Sequence, residues 1–173
     1  MKRTFLRRQA AVLLPGIALF AAWAMADTNV EFSGALVADP CRVETDSEAQ
    51  TVEFGAIPSK TFIDAVQTVP KTFHVHLKEC DLSLGSQVSF TFSGEKDASE
   101  PTLFRVSGSA RGIALAIADS EGRAVTPDGE QQAVTLTEGD NTLTWQTRVQ
   151  STAGRHVGEG EFSSVVIFAL RYD

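Results

Sequence analysis

The 173-residue sequence predicts an all-β fold, an antiparallel β-sandwich, and three observations carry that expectation. Apolar and polar residues alternate with period two in one run after another. Each run closes on turn residues. No stretch holds a sustained helical stripe, and residues 60–69 have room for one turn of helix at most. Successive side chains of a strand point to opposite faces, so such alternation describes sheets with one face buried. Many short strands punctuated in this way suit a sandwich.

The first segment is an address. Lys2, Arg3, Arg7 and Arg8 precede an apolar run over residues 10–23 that ends in Ala24-Met25-Ala26. A basic start, a short apolar centre and a small-x-small end describe a secretory signal peptide, residues 1–26. The run is shorter than the ~20 residues of a membrane span, and Pro15-Gly16 interrupts it. No later stretch is apolar enough to cross a bilayer, so the mature chain, residues 27–173, is expected to be exported without membrane insertion. Four of the 15 basic residues and none of the 22 acidic ones lie in the leader, so the remainder carries a net charge of −11. That balance argues against nucleic acid or anionic lipid as a partner, since phosphate contacts need Lys and Arg.

After the leader, Val30, Phe32, Gly34 and Leu36 fall on one face of a predicted strand, and Glu31, Ser33 and Ala35 on the other, before Pro40 ends it. Cys41 and Cys80 follow, an even count in an exported chain, which reads as one disulfide. A bridge closing that loop is worth about 3–4 kcal/mol on the chain-entropy model, and the spacing matches no zinc pattern. Phe73, Val75 and Leu77 then alternate with His74, His76 and Lys78, and Val88, Phe90 and Phe92 with Ser89, Thr91 and Ser93. Ile113, Leu115 and Ile117 alternate with alanines, Val134 and Leu136 with threonines, and Leu143, Trp145 and Thr147 form a further set. Turn chemistry separates them at Ser93-Gly94, Asp119-Ser120-Glu121-Gly122, Pro127-Asp128-Gly129 and Glu138-Gly139-Asp140-Asn141. In the last segment, residues 160–173, Phe162, Val166, Phe168, Leu170 and Tyr172 share one face. Val165, Ile167 and Ala169 occupy the other, so this strand is expected to be buried on both sides, with a neighbour on each edge. The chain nevertheless ends at Asp173, where a Greek-key sandwich would supply another strand.

Few residues suggest chemistry. His156 has acids and serines nearby, but no Gly-x-Ser-x-Gly is present. His74-x-His76 places two imidazoles on one strand face, half a metal site with no third ligand in sight, and an exposed strand explains the pair as well. The phenylalanines and Trp145 lie on apolar strand faces and read as core. No catalytic residue, metal or cofactor is expected.

In order along the chain, these motifs resemble the type 1 fimbrial subunits of bacterial chaperone–usher pili. The resemblance covers the whole mature chain. Its landmarks are Gly34-Ala35-Leu36-Val37, Pro40-Cys41, Val52-Glu53-Phe54-Gly55 and Phe73-His74-Val75-His76-Leu77 leading to Cys80. Further on come Val88-Ser89-Phe90-Thr91-Phe92-Ser93-Gly94, Gly112-Ile113-Ala114-Leu115 with Asp119, then Gly160-Glu161-Phe162 and the penultimate Tyr172. Gly160 stands fourteenth from the end, the family's usual place. Ala114 departs from the second glycine many members carry, and the histidine pair lies on a face that usually varies.

The resemblance implies an incomplete immunoglobulin-like sandwich that lacks its last strand and carries an N-terminal donor-strand extension. The implied organisation is a leader (1–26), the extension (27–39) and a pilin domain (40–173). Val30, Phe32, Gly34 and Leu36 would be donated to a neighbour. Gly160, Phe162, Phe168, Leu170 and Tyr172 would belong to the groove that accepts a strand, first from a periplasmic pilus chaperone and then, at the outer-membrane usher, from the next subunit. This is β-augmentation. The implied role is a non-enzymatic structural subunit of an adhesive fimbrium, passing through the periplasm to the cell surface. The alternative from the residues alone is a secreted carbohydrate-binding β-sandwich acting as a monomer. A periplasmic hydrolase would need a pocket of perturbed ionisable groups.

Overall fold

The computed structural model describes residues 30–154 and 156–173; residues 1–26, read as a leader, lie outside them. The described part divides at Leu36, and the stretch before it and the body Val37–Asp173 are separate units. Residues 30–36 have no regular secondary structure, and Val30, Phe32 and Leu36 are 70%, 91% and 103% exposed. Alternation predicted a strand here. A strand exists only as part of a ladder, and these residues carry none of a ladder's bonds.

In chain order the body holds β1 (Arg42–Val43), α1 (Thr45–Glu48), α2 (Thr61–Asp64), β2 (Lys71–Cys80), β3 (Gln87–Ser93), β4 (Phe104–Arg105), β5 (Ser107–Gly108), β6 (Ile113–Asp119), β7 (Ala124–Val125), β8 (Val134–Thr135), β9 (Gly139–Ser151), β10 (Phe162–Ser163) and β11 (Ile167–Tyr172). The larger sheet runs β1-β2-β9-β6-β4, with β7 also on β6. A second runs β11-β3-β8, and β10 pairs with β5. All of these pairings are antiparallel. The alternating runs predicted around Phe73, Val88, Ile113 and Leu143 are β2, β3, β6 and β9. The last is longer than its apolar pattern, because Val149 and Ser151 continue its buried face. Only Val134–Thr135 of the predicted Val134–Leu136 run pairs as a strand; Leu136 is buried while Val134 is exposed.

The core lies between the two sheets. Val75 and Leu77 of β2 and Trp145 of β9 face Val88, Phe90 and Phe92 of β3. The Trp145 ring sits 4.6 Å from Phe90 and 5.2 Å from Phe92, both edge-on, and stacks on Phe73 at 5.8 Å. Edge-to-face packing suits the aromatic quadrupole, and each large side chain buried here contributes roughly 1.5–3 kcal/mol. The Cys41–Cys80 disulfide is formed. It ties the residue before β1 to the last residue of β2, so it clamps two strands already in register at Arg42↔Lys78. A second, smaller cluster gathers Phe62 of α2, Ala110, Ile113 and Val149, with Phe54, Ile57, Val106, Val157 and Phe162 packed on it.

The terminal segment departs from the predicted single strand. β10 and β11 belong to different ladders, separated by Ser164, Val165 and Val166. Its outer face is open rather than buried: Val165 is 80% and Ile167 66% exposed, and the burial of β11 alternates between exposed and half-buried. The reason is its place. β11 is an edge strand, paired with β3 alone among the described residues, so no flanking strand covers its inner side chains.

Candidate functional site

The terminal segment carries all five residues predicted to line an acceptor groove, and the structure distributes them over two cavities and one aromatic cluster. Gly160 and Phe162 line a cavity of about 470 Å³, with Ile57, Pro58, Phe62, Val149 and Val157. Leu170 and Tyr172 line another of about 570 Å³, facing Asp39, Pro40, Cys41, Arg42 and Val43. Phe168 lies between them in sequence. Its ring packs at 6.1 Å from Phe90 and 6.3 Å from Phe92, where the main core reaches the sheet edge.

Gly160 is dictated by a close backbone crossing. Its φ is +151°, a region side chains rarely adopt, and a Cβ there would collide with Ser109 Oγ and stand 2.6 Å from the Ala110 nitrogen. The neighbouring Glu161 carbonyl accepts hydrogen bonds from the Ser109 and Ala110 N–H groups at 2.9 and 3.1 Å. Phe162 opposite Gly108 continues this pairing and lays its ring 6.0 Å from Phe54. Gly160 and Phe162 therefore belong to a closed part of the segment, held by the chain's own backbone.

From Ile167 onward the arrangement opens. Phe168, Leu170 and Tyr172 pair with Phe92, Phe90 and Val88 in β3. The ladder is extended by Asp173, whose oxygen accepts from the Ser86 and Gln87 N–H groups at 3.0 and 3.1 Å. All the inner side chains of β11 are half-buried. The Tyr172 hydroxyl is buried and makes no hydrogen bond in the described structure. Burial, and after it the Asp39 carboxylate, pushes the phenol above its ordinary pKa. The rim is acidic, with Asp39, Glu48 and Glu79, and Arg42 lies 3.6 Å from Glu79.

Sequence reasoning missed the opposite walls of both cavities. Pro40 and Val43 carry no periodic signal, because β1 has two residues. Ile57 and Phe62 lie in irregular chain and in a four-residue helix, where apolar residues announce burial but not against what. The extension residues Val30, Phe32 and Leu36 are exposed, and Gly34 has no atom within 4 Å of where its Cβ would be.

The described residues hold no helix long and apolar enough to cross a membrane. Comparison with known proteins agrees with the fold. A family profile described as "Fimbrial protein" matches residues 30–173. The Fimbria A protein of Serratia marcescens is 32% identical over 145 residues, covering 83% of each chain. The crystal structure of the P pilus rod subunit PapA is 26% identical with a TM-score of 0.70, over 78% of this chain and all of that one. A subunit from the structure of a chaperone–usher pilus is 25% identical with a TM-score of 0.71, over 85% of this chain and 96% of that one. With a two-sheet core closed by one disulfide, and with the family profile spanning the whole described chain, this protein belongs to the fimbrial protein family.

Proposed function

We propose that this fimbrial subunit completes its sandwich with a strand from another chain and gives its own extension to a third. One observation supports the reading above the others. β11 is an edge strand whose inner side chains, Phe168, Leu170 and Tyr172, are only half covered, and such an apolar edge is an aggregation hazard unless something pairs with it. An extended segment laid along β11 would meet its free N–H and C=O groups and cover those side chains. Val30, Phe32, Gly34 and Leu36 have the matching pattern, three apolar side chains on one face with a glycine among them, all without cover of their own.

Burying Val30, Phe32 and Leu36 against a neighbour gains roughly 1.5–3 kcal/mol for each side chain. Each ladder hydrogen bond adds about 0.5–1.5 kcal/mol net. The total is on the order of 10 kcal/mol, comparable with the stability of a whole domain, so a captured strand stays captured. Before assembly a periplasmic chaperone supplies the strand, and the outer-membrane usher is where the next subunit's extension replaces it. The likeness to rod subunits supports a place in the shaft of an adhesive fimbrium at the cell surface. The role is structural, with no catalytic step and no cofactor.

The test is reconstituted assembly with Gly34→Leu. A leucine where the donor backbone approaches the groove floor blocks insertion, so fibres disappear while subunit export continues. Fibres of normal length from Gly34→Leu would refute the reading. A monomer that folds and persists alone, and that binds a glycan after loss of residues 27–39, would favour the secreted lectin-like alternative instead.

A further inference from the structure

The open face of the larger sheet carries a pair of metal-ligating side chains that the assembly reading does not use. His74 and His76 project from one face of β2, their rings 6.1 Å apart and 29° from parallel. In the β2–β9 register His74 stands opposite Thr144 and His76 opposite Thr142. Each threonine hydroxyl meets Nδ1 of its histidine, at 2.8 Å for Thr144 and 3.0 Å for Thr142. The two contacts repeat the same geometry one pleat apart. A threonine hydroxyl can accept from Nδ1–H or donate to Nδ1, and in the tautomer where it accepts, the lone pair lies on Nε2, free to bind a metal. His74 is exposed and His76 half-buried. Gln50 holds the backbone between them, its side-chain amide donating to the His74 carbonyl at 2.5 Å. Lys78, next on the same face, is engaged by Asp140 at 2.9 Å and Glu44 at 3.9 Å.

We propose that His74 and His76 form a bidentate site for Cu(II), bound through Nε2 of each ring, with water in the remaining positions. Copper follows from the donor set. Among divalent first-row ions Cu(II) binds a given nitrogen site most tightly, and its tetragonal geometry accepts two neighbouring imidazoles and solvent. A structural zinc site wants four protein ligands, and no group of three or more His, Cys, Asp or Glu is gathered among the described residues. Imidazole nitrogens hold such ions at about 2.0–2.1 Å, so the parallel rings need to lean together. The threonine contacts engage Nδ1 of each ring and not Nε2. The site is open and exchangeable, and a fibre of repeated subunits carries it once per subunit.

The experiment is titration of the untagged exported chain, its groove filled by an N-acetylated peptide of residues 27–39, which contains no histidine, with Cu(II) alone, read by electron paramagnetic resonance. The expected spectrum reports one ion per chain with coupling to two imidazole nitrogens. His74→Ala and His76→Ala each weaken binding at least about tenfold, and Thr144→Val, which keeps both ligands, weakens it by roughly tenfold as orienting partners do. His156→Ala leaves it unchanged. A β-sheet circular dichroism spectrum and a cooperative urea transition matching wild type show that each variant is folded. A wild-type spectrum without imidazole coupling overturns the proposal with no variant needed. Equal affinity in the His74→Ala/His76→Ala double variant overturns it as well.

Discussion

Residues 30–38 and residues 160–173 carry the same period-two apolar pattern, yet they meet opposite fates in this chain. The first stretch leaves Val30, Phe32 and Leu36 in solvent. The second is built in, pinned by backbone hydrogen bonds at Glu161 and registered along β3 from Ile167 to Tyr172. Their glycines state the contrast most sharply. A Cβ on Gly34 would meet nothing within 4 Å, whereas one on Gly160 would strike Ser109 and Ala110. The difference teaches that alternation is a capacity for pairing, realised only where a complementary edge is within reach.

Substitutions that attack the built-in stretch are expected to cost the chain most. Gly160→Val has no room and an unfavourable φ, so a loss of about 3 kcal/mol or more is expected. It would be seen as degradation of the exported chain and poor recovery of its disulfide-bonded form. If Gly160→Val accumulates normally, the backbone crossing does not hold the segment. Phe168→Ala removes a half-buried ring from Phe90 and Phe92, and about 2 kcal/mol is expected, below the cost of a fully buried Phe. Urea unfolding of a chain complemented with a donor peptide measures it.

Tyr172→Phe separates folding from strand capture. The hydroxyl has no partner among the described residues, so its removal is expected to leave the subunit's own stability unchanged within about 0.5 kcal/mol. A captured strand that supplies an acceptor would lose one hydrogen bond, and its dissociation would quicken about five- to tenfold. Unaltered peptide release would show that the occupant leaves this hydroxyl alone. Gly34→Leu has the smallest effect on the chain itself, with export and folding matching wild type, although fibres are lost. A folding defect in that variant would mean that residues 30–38 serve their own subunit.

Much of the scaffold was legible because local pattern suffices for it. The runs at Phe73, Val88, Ile113 and Leu143 became β2, β3, β6 and β9 with the predicted faces inward, and the turn of helix allowed in residues 60–69 became Thr61–Asp64. Two cysteines in an exported chain became one bridge. The candidate site was legible only in part. Gly160, Phe162, Phe168, Leu170 and Tyr172 were singled out together, yet Gly160 and Phe162 line a different cavity from Leu170 and Tyr172. The split arises at Ser164–Val166, where the segment leaves β5 for β3. No local signal marks it, since both halves share one parity.

The sequence by itself determined the β character of the chain, the inward face of each long strand, the disulfide partners and the unusual apolar stretches at both ends. These follow from side-chain period and from cysteine count, properties of neighbouring residues. Tertiary structure alone decided which strands are partners, that β11 lies at an edge, and that the outer face of the last segment is open. It also decided that two histidines stand over two threonines. Period two assigns a residue to a face but names no neighbour across the ladder. Pairing joins residues as far apart as Val88 and Tyr172, and it is settled by the packing of the whole core.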